Sequence, residues 1–237
     1  MRSNALAGGM PAPVITSGFD RDAAITRSLL GYGVLVGPFY LAVSLIQAFV
    51  REGFDLTRHA LSILANGRGG WVQTANLALS GLMVIAAAVG FHRVLGSKSR
   101  GVTLFLGAFG ASMVAAAIFR ADPMDGFPVG TPLGMPTSIS THGLIHFVAG
   151  ALGFTSLAIS CFFGAAVMRR RGTRSLALVS LLAGLAVVLG FYGGMAFLKG
   201  GILGIWIAVV VGWAWLLAMS LHLYRVSPNP NCAPDAG

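Results

Sequence analysis

Between residues 29 and 224 the chain alternates long apolar runs with short polar ones. The runs at 29–50, 71–95, 101–120, 142–168, 174–196 and 201–224 are continuous, with few charges inside them. A bilayer core is about 30 Å thick, and a helix needs roughly 20 apolar residues to cross it. Each run reaches that length. Barrel strands alternate apolar with polar residues, so unbroken runs predict helices instead. The expected fold class is all-α, a bundle of six transmembrane helices over residues 29–225. Flexible tails are expected at 1–28 and 226–237.

Composition sharpens this picture. Hydrophobic residues make up 56% of the chain and charged residues 10%, against about 25% charged in a water-soluble domain. A separate soluble domain has no room. The net charge of +9 by itself suggests a nucleic-acid partner, but its distribution points elsewhere. Of the 16 Lys and Arg, Arg51, Arg58, Arg68, Arg120 and Lys199 fall on one side of such a bundle, and the rest fall on the other. That bias is the positive-inside pattern, which places both termini in the cytoplasm. The basic residues then set topology and meet anionic membrane lipids, and no nucleic acid is expected. Residues 1–28 lack the basic start, apolar core and small-residue cleavage site of a signal peptide. Cys161 falls mid-span and Cys232 in the second tail, so no disulfide is expected.

Lipid gives one helix no hydrophobic reason to leave it for another, so small residues must let the helices approach. Candidates are Ala108, Ser112 and Ala116 in the third run, Ala149 and Gly153 in the fourth, and Gly190, Gly193 and Gly194 in the fifth. The short connection FLKGG makes the fifth and sixth helices a hairpin. Trp71, Trp206, Trp213 and Trp215 read as interfacial or packing aromatics.

The candidate chemistry lies between the spans. In FDLTRHALSILANGRGGW, an α-helix over Asp55–Asn66 places Asp55, His59, Ser62 and Asn66 within a stripe of roughly 60°, with Arg58 on its flank. A short amphipathic helix is therefore expected after the first span. The longest connection, ADPMDGFPVGTPLGMPTSISTH, is a turn-rich loop carrying Asp122 and Asp125. It leads into THGLIHFVAG, where His142 and His146 are four residues apart and share a helix face. All these residues belong to one side of the bundle.

The motifs GFDLTRHALSILANGRGGW, FRADPMDGFPVGTP and HGLIHFVAG, in this order between spans, resemble the bacterial six-span membrane proteins grouped as domain of unknown function 998. The resemblance implies a bacterial cytoplasmic (inner) membrane setting and brings no activity with it. A weaker similarity, in residue kinds alone, is to membrane hydrolases of the alkaline ceramidase and adiponectin receptor type. It implies zinc held by His59, His142 and His146, water oriented by Asp122, and a substrate carbonyl hydrogen-bonded by Ser62. The chain departs from that group in having six spans and HxxS where the group has SxxxH.

The functional expectation is an outer-facing polar pocket for a lipid or small amphiphile, with Asp55, Arg58, His59, Asn66 and Asp125 binding it. Two alternatives stand beside it. One is a zinc-dependent hydrolase of a lipid amide or ester; the other is a polar plug that only ties the loops to the bundle. A haem protein would need paired ligands on facing helices, which His92, His222, His59 and His146 do not clearly form.

Overall fold

The computed structural model describes residues 19–196 and 201–231. Among the described residues six α-helices form: α1 (Arg21–Val50), α2 (Gly70–Leu95), α3 (Arg100–Ile118), α4 (Thr141–Arg170), α5 (Arg174–Ala196) and α6 (Ile202–Val226). Each is long and apolar enough to cross a membrane. Each packs on the next in sequence, and α6 closes the ring against α1. The Asp20 N–H donates to the Pro230 carbonyl at 2.9 Å, so both ends of the described chain lie at one end of the bundle, here the tail end. Segments 51–69 and 119–140 lie at the other, here the site end. Met1–Gly18 and Cys232, with the termini of both expected tails, fall outside the described residues, as does most of the FLKGG connection.

The first helix starts earlier than its apolar run. Asp20 caps it by accepting from the Ala23 N–H at 3.0 Å, and Asp22 sits in the first turn. Residues 21–28 are therefore helix, not tail. Arg93 fixes this added turn by donating to Thr26 at 2.8 Å and pairing with Asp22 at 3.1 Å.

Large apolar side chains cover the outside of the ring, among them Leu35, Ile46, Leu104, Leu152 and Leu189. Where neighbouring helices touch, glycines let their backbones approach closely. A Cβ on Gly81 of α2 would lie 2.6 Å from the Gly110 carbonyl oxygen of α3. One on Gly190 of α5 would lie 2.6 Å from the Gly204 oxygen of α6. The expected contact of Gly153 is also present, against Ser112. Two expectations differ. Ala108 faces outward, and a Cβ at Gly193 would meet nothing within 4 Å. The tryptophans sort by depth. Trp71 is exposed at the start of α2, whereas Trp213 and Trp215 are core residues.

A buried amide cluster adds a polar clamp between α1 and α2. Gln47 donates to Gln73 at 2.8 Å, Gln73 to Ser44 at 3.1 Å, and Asn76 to Ser44 at 3.0 Å. Asn76 also reaches the Tyr40 carbonyl at 3.1 Å. Bonds of this kind between membrane helices are worth roughly 0.6–2 kcal/mol each. They hold the site ends of α1 and α2 together, beneath the segment that joins them.

Gly81→Ala is expected to destabilise the detergent-solubilised protein by roughly 1–3 kcal/mol through overpacking. Gly193→Ala should leave it unchanged within about 0.5 kcal/mol. Thermal unfolding followed by intrinsic fluorescence separates the two.

Candidate functional site

The segment from Arg51 to Gly69 does not form the expected α-helix over Asp55–Asn66. Gly53, Gly67 and Gly69 have φ of 81°, 69° and 82°, and between them lie turns and one short 3-10 helix, Leu61–Ala65. Local side-chain chemistry explains the departure. The Asp55 carboxylate accepts from the Thr57 N–H at 2.8 Å and the Thr57 hydroxyl at 2.7 Å, a turn that competes with helix. These two bonds hold the Asp55 carboxyl below the usual carboxylate range. What enters the bundle is an apolar wedge, Leu61, Ile63, Leu64 and Ala65, all buried.

A wedge of irregular backbone brings carbonyls and N–H groups away from water, and each needs a partner. The polar side chains supply them. Arg51 donates to the carbonyls of Leu64 at 3.2 Å and Asn66 at 2.6 Å. Trp206 of α6 donates to the Leu56 carbonyl at 2.9 Å, and buried Asn66 donates to Ala121 at 3.0 Å. His59 is almost fully buried between the rings of Phe54 and Phe127. Its Nδ1 accepts from the Asp55 N–H at 2.9 Å, so its Nε2 carries the proton and donates to the Asp125 carbonyl at 3.1 Å.

The loop between α3 and α4 folds over this wedge. Asp125 has a left-handed φ of 50° and is followed by Gly126 at 90°. Its carboxylate receives the Arg58 guanidinium, with Nε to Oδ2 at 3.0 Å, and the Gly134 N–H at 3.0 Å. The Arg58 bond is the first cause that holds the Asp125 carboxyl below its usual range, and the Gly134 bond is the second. Asp122 accepts from the Ser140 N–H at 2.9 Å, and Ser140 in turn caps α4 through the Gly143 N–H at 3.0 Å. The structure thus gives Asp122 the task of seating the start of α4.

Below the loop is a cavity of about 470 Å³. Thr57, Arg58, His59, Ser62, Asp125 and His146 provide its polar wall. Phe147, Phe154, Phe191, Met195, Ile202 and Ile205, from α4, α5 and α6, provide the apolar one. Phe154 lies eight residues beyond His146, about 12 Å deeper along α4. A second cavity of about 110 Å³ reaches into the core among Tyr40, Leu77, Phe109, Leu157 and Trp213. Both cavities are bordered by Ala60, Ser62, His146, Gly150, Phe154 and Ile205.

His146 is buried. Its Nδ1 lies 2.9 Å from the Phe119 carbonyl oxygen and 3.3 Å from that of Ala116. Carbonyls only accept, so Nδ1 carries the proton. In the neutral ring Nε2 then has a lone pair, which faces the Ser62 hydroxyl at 3.1 Å.

The expected zinc triad does not fit this geometry. Both nitrogens of His59 are committed to backbone partners, and His142 is exposed and packs on Phe119 with ring centroids 5.4 Å apart. Among the described residues no three His, Cys, Asp or Glu side chains gather to hold a metal ion. Of the expected ligand-binding residues, Arg58, His59 and Asp125 line the larger cavity, while Asp55 and Asn66 are not among its lining. Neither are Asp122 and His142.

Residues 34–222 match the model of a family described as Protein of unknown function (DUF998). The chain belongs to this family. No curated protein and no solved structure matches it. The DUF998 match opens within α1 and closes within α6, so both site segments and the whole cavity wall fall inside it. The six helices, each long and apolar enough to cross a membrane, make the chain a multi-pass membrane protein.

Sequence reasoning missed the apolar wall and the amide cluster. Gln47, Gln73 and Asn76 are the amides of otherwise apolar runs, and that signal was available. Arg51, counted only toward topology, is in fact the principal partner of the wedge carbonyls.

Because the Asp125 carboxyl sits below its ordinary value, the order it confers on the loop is complete above about pH 4 and is lost as pH falls through the depressed value. Hydrogen exchange at Asp125, Gly126 and Gly134, corrected for intrinsic rate, should be constant from neutral pH to about pH 5 and accelerate below about pH 4. His59→Ala should cost roughly 1–3 kcal/mol by orphaning backbone groups. Chelator should leave the wild-type melting temperature unchanged.

Proposed function

We propose that the protein binds a lipid or small amphiphile in the larger cavity. The observation that carries this reading is a space of about 470 Å³ with a polar wall at the site end and an aromatic and aliphatic wall running deeper between α4 and the α5–α6 pair. Ligand cavities commonly have this character, mostly apolar with a few placed polar groups. Arg58 and Asp125 offset each other's charge at the mouth, which suits an uncharged or zwitterionic headgroup. The ligand's hydrocarbon part would pack against Phe147, Phe154 and Phe191.

The membrane setting follows the distribution of basic residues. With Arg169, Arg170, Arg171 and Arg174 at the tail end, the positive-inside pattern puts that end in the cytoplasm. The site end then faces outward from a bacterial cytoplasmic membrane, and the ligand comes from the outer side or from the surrounding lipid.

Gly150 gives a direct test. It borders both cavities, and a Cβ there would meet nothing within 4 Å. Gly150→Phe should therefore fill the space without disturbing the helices. Native mass spectrometry of gently delipidated protein should show a retained amphiphile in wild type and at least a tenfold loss in Gly150→Phe, with the melting temperature preserved. Equal retention in both proteins would refute the reading.

A further inference from the structure

We infer that Ser62 and His146 form a nucleophile and general-base pair that cleaves a short acyl ester carried by the bound amphiphile. The inference rests on the amphiphile reading for delivery of the ester, and its chemistry rests on different atoms. Three features must coincide for a serine to act this way: a base within hydrogen-bond reach, a group that fixes the base's tautomer, and space for the reacting carbon. The Ser62 Oγ lies 3.1 Å from Nε2 of His146. The Phe119 carbonyl oxygen, 2.9 Å from Nδ1, fixes the proton there and leaves the lone pair facing the hydroxyl. Ser62 is half-buried and lines both cavities, so a ligand in either lies beside it.

The pair is also held rigidly from both sides. Ser62 sits in the 3-10 helix that Arg51 ties to α1, and His146 sits one turn inside α4, whose start is seated by Ser140 and Asp122. A hydroxyl serving only to tie the wedge to α4 needs no cavity beside it. Here it has two. The smaller, about 110 Å³ and lined by Leu77, Phe109, Leu157 and Trp213, suits a short acyl group. A dry cavity of about 150 Å³ admits benzene, which sets the scale. The amphiphile's alcohol portion then occupies the larger cavity.

In the reaction the Ser62 Oγ bonds to the ester carbonyl carbon as its proton passes to Nε2 of His146, and the π pair of the carbonyl moves onto its oxygen, whose return drives the next step. The Phe119 and Ala116 carbonyls stabilise the resulting imidazolium through Nδ1–H. Collapse breaks the carbon–oxygen bond to the alcohol, which leaves with the proton from Nε2, and the acyl group stays on Ser62. Water then attacks that acyl carbon, giving its proton to Nε2. The bond to Oγ breaks, the acid departs, and the proton returns to Ser62. The net change is ester plus water to acid plus alcohol.

The test uses the full chain in detergent and an alkyl fluorophosphonate, which bonds to an activated serine with loss of fluoride. Peptide mass spectrometry should find the adduct on Ser62, with none in Ser62→Ala. The labelling rate should fall by roughly 10²-fold or more in His146→Gln and His146→Ala. Added imidazole should restore part of it in His146→Ala alone, which a purely structural histidine would not permit. Hydrolysis of p-nitrophenyl butyrate should exceed that of the palmitate ester and vanish in Ser62→Ala. Unlabelled Ser62 in protein that still retains its amphiphile would overturn the pair and leave the binding reading standing. Labelling that ignores His146 substitution would also overturn it. Labelled Ser62 without amphiphile retention would instead remove the binding reading and keep the pair.

Discussion

The site end of this bundle depends on one constraint: irregular backbone carried among apolar helices must find hydrogen-bond partners without water. The wedge between α1 and α2 carries carbonyls at Leu56, Leu64 and Asn66 that no helix satisfies. Trp206 and Arg51 satisfy them, each from a different helix end. His59 and Asn66 do the same for the loop above, at Asp125 and Ala121. The concentration of polar residues after the first span is thus first a requirement of the chain's own backbone. Leaving such a group unpaired costs roughly 1–3 kcal/mol, which exceeds the worth of most single contacts in the bundle.

Meeting that requirement also creates the cavity. A wedge tied to the end of α1 through Arg51 and to α6 through Trp206 is fixed in depth at the site end. The space beneath it is walled by α4, α5 and α6, of which α5 and α6 approach each other closely at Gly190 and Gly204. Ser62 is the wedge residue whose side chain is not spent on backbone. Its hydroxyl is turned to His146, whose other nitrogen is anchored by the end of α3.

The architecture was legible because bilayer-length apolar runs admit few alternatives. The six spans, their order and the placing of Ser62 and His146 toward one end follow from run length and alternation, whereas the contact between those two side chains does not. The start of α1 was not, since Asp20 and Asp22 extend a helix past the apolar run by capping chemistry that hydropathy ignores. The stretch Asp55–Asn66 was misjudged for a related reason. Its helical periodicity is real, but the Asp55–Thr57 turn and the positive φ of Gly53 and Gly67 overrule it. The zinc triad read from residue type and spacing is not gathered here, because those features say nothing of which lone pairs remain available. His59 has the right identity and place, and both nitrogens are already used.

The tail half of the ring bears on what the protein can do. Phe91, Leu106, Trp215, Leu216, Met219 and Leu223 are fully buried there, and together they close the interior below the smaller cavity. For the proposed ligand these side chains would form a floor, confining it to the half of the bundle that holds Ser62 and giving entry and exit one shared doorway.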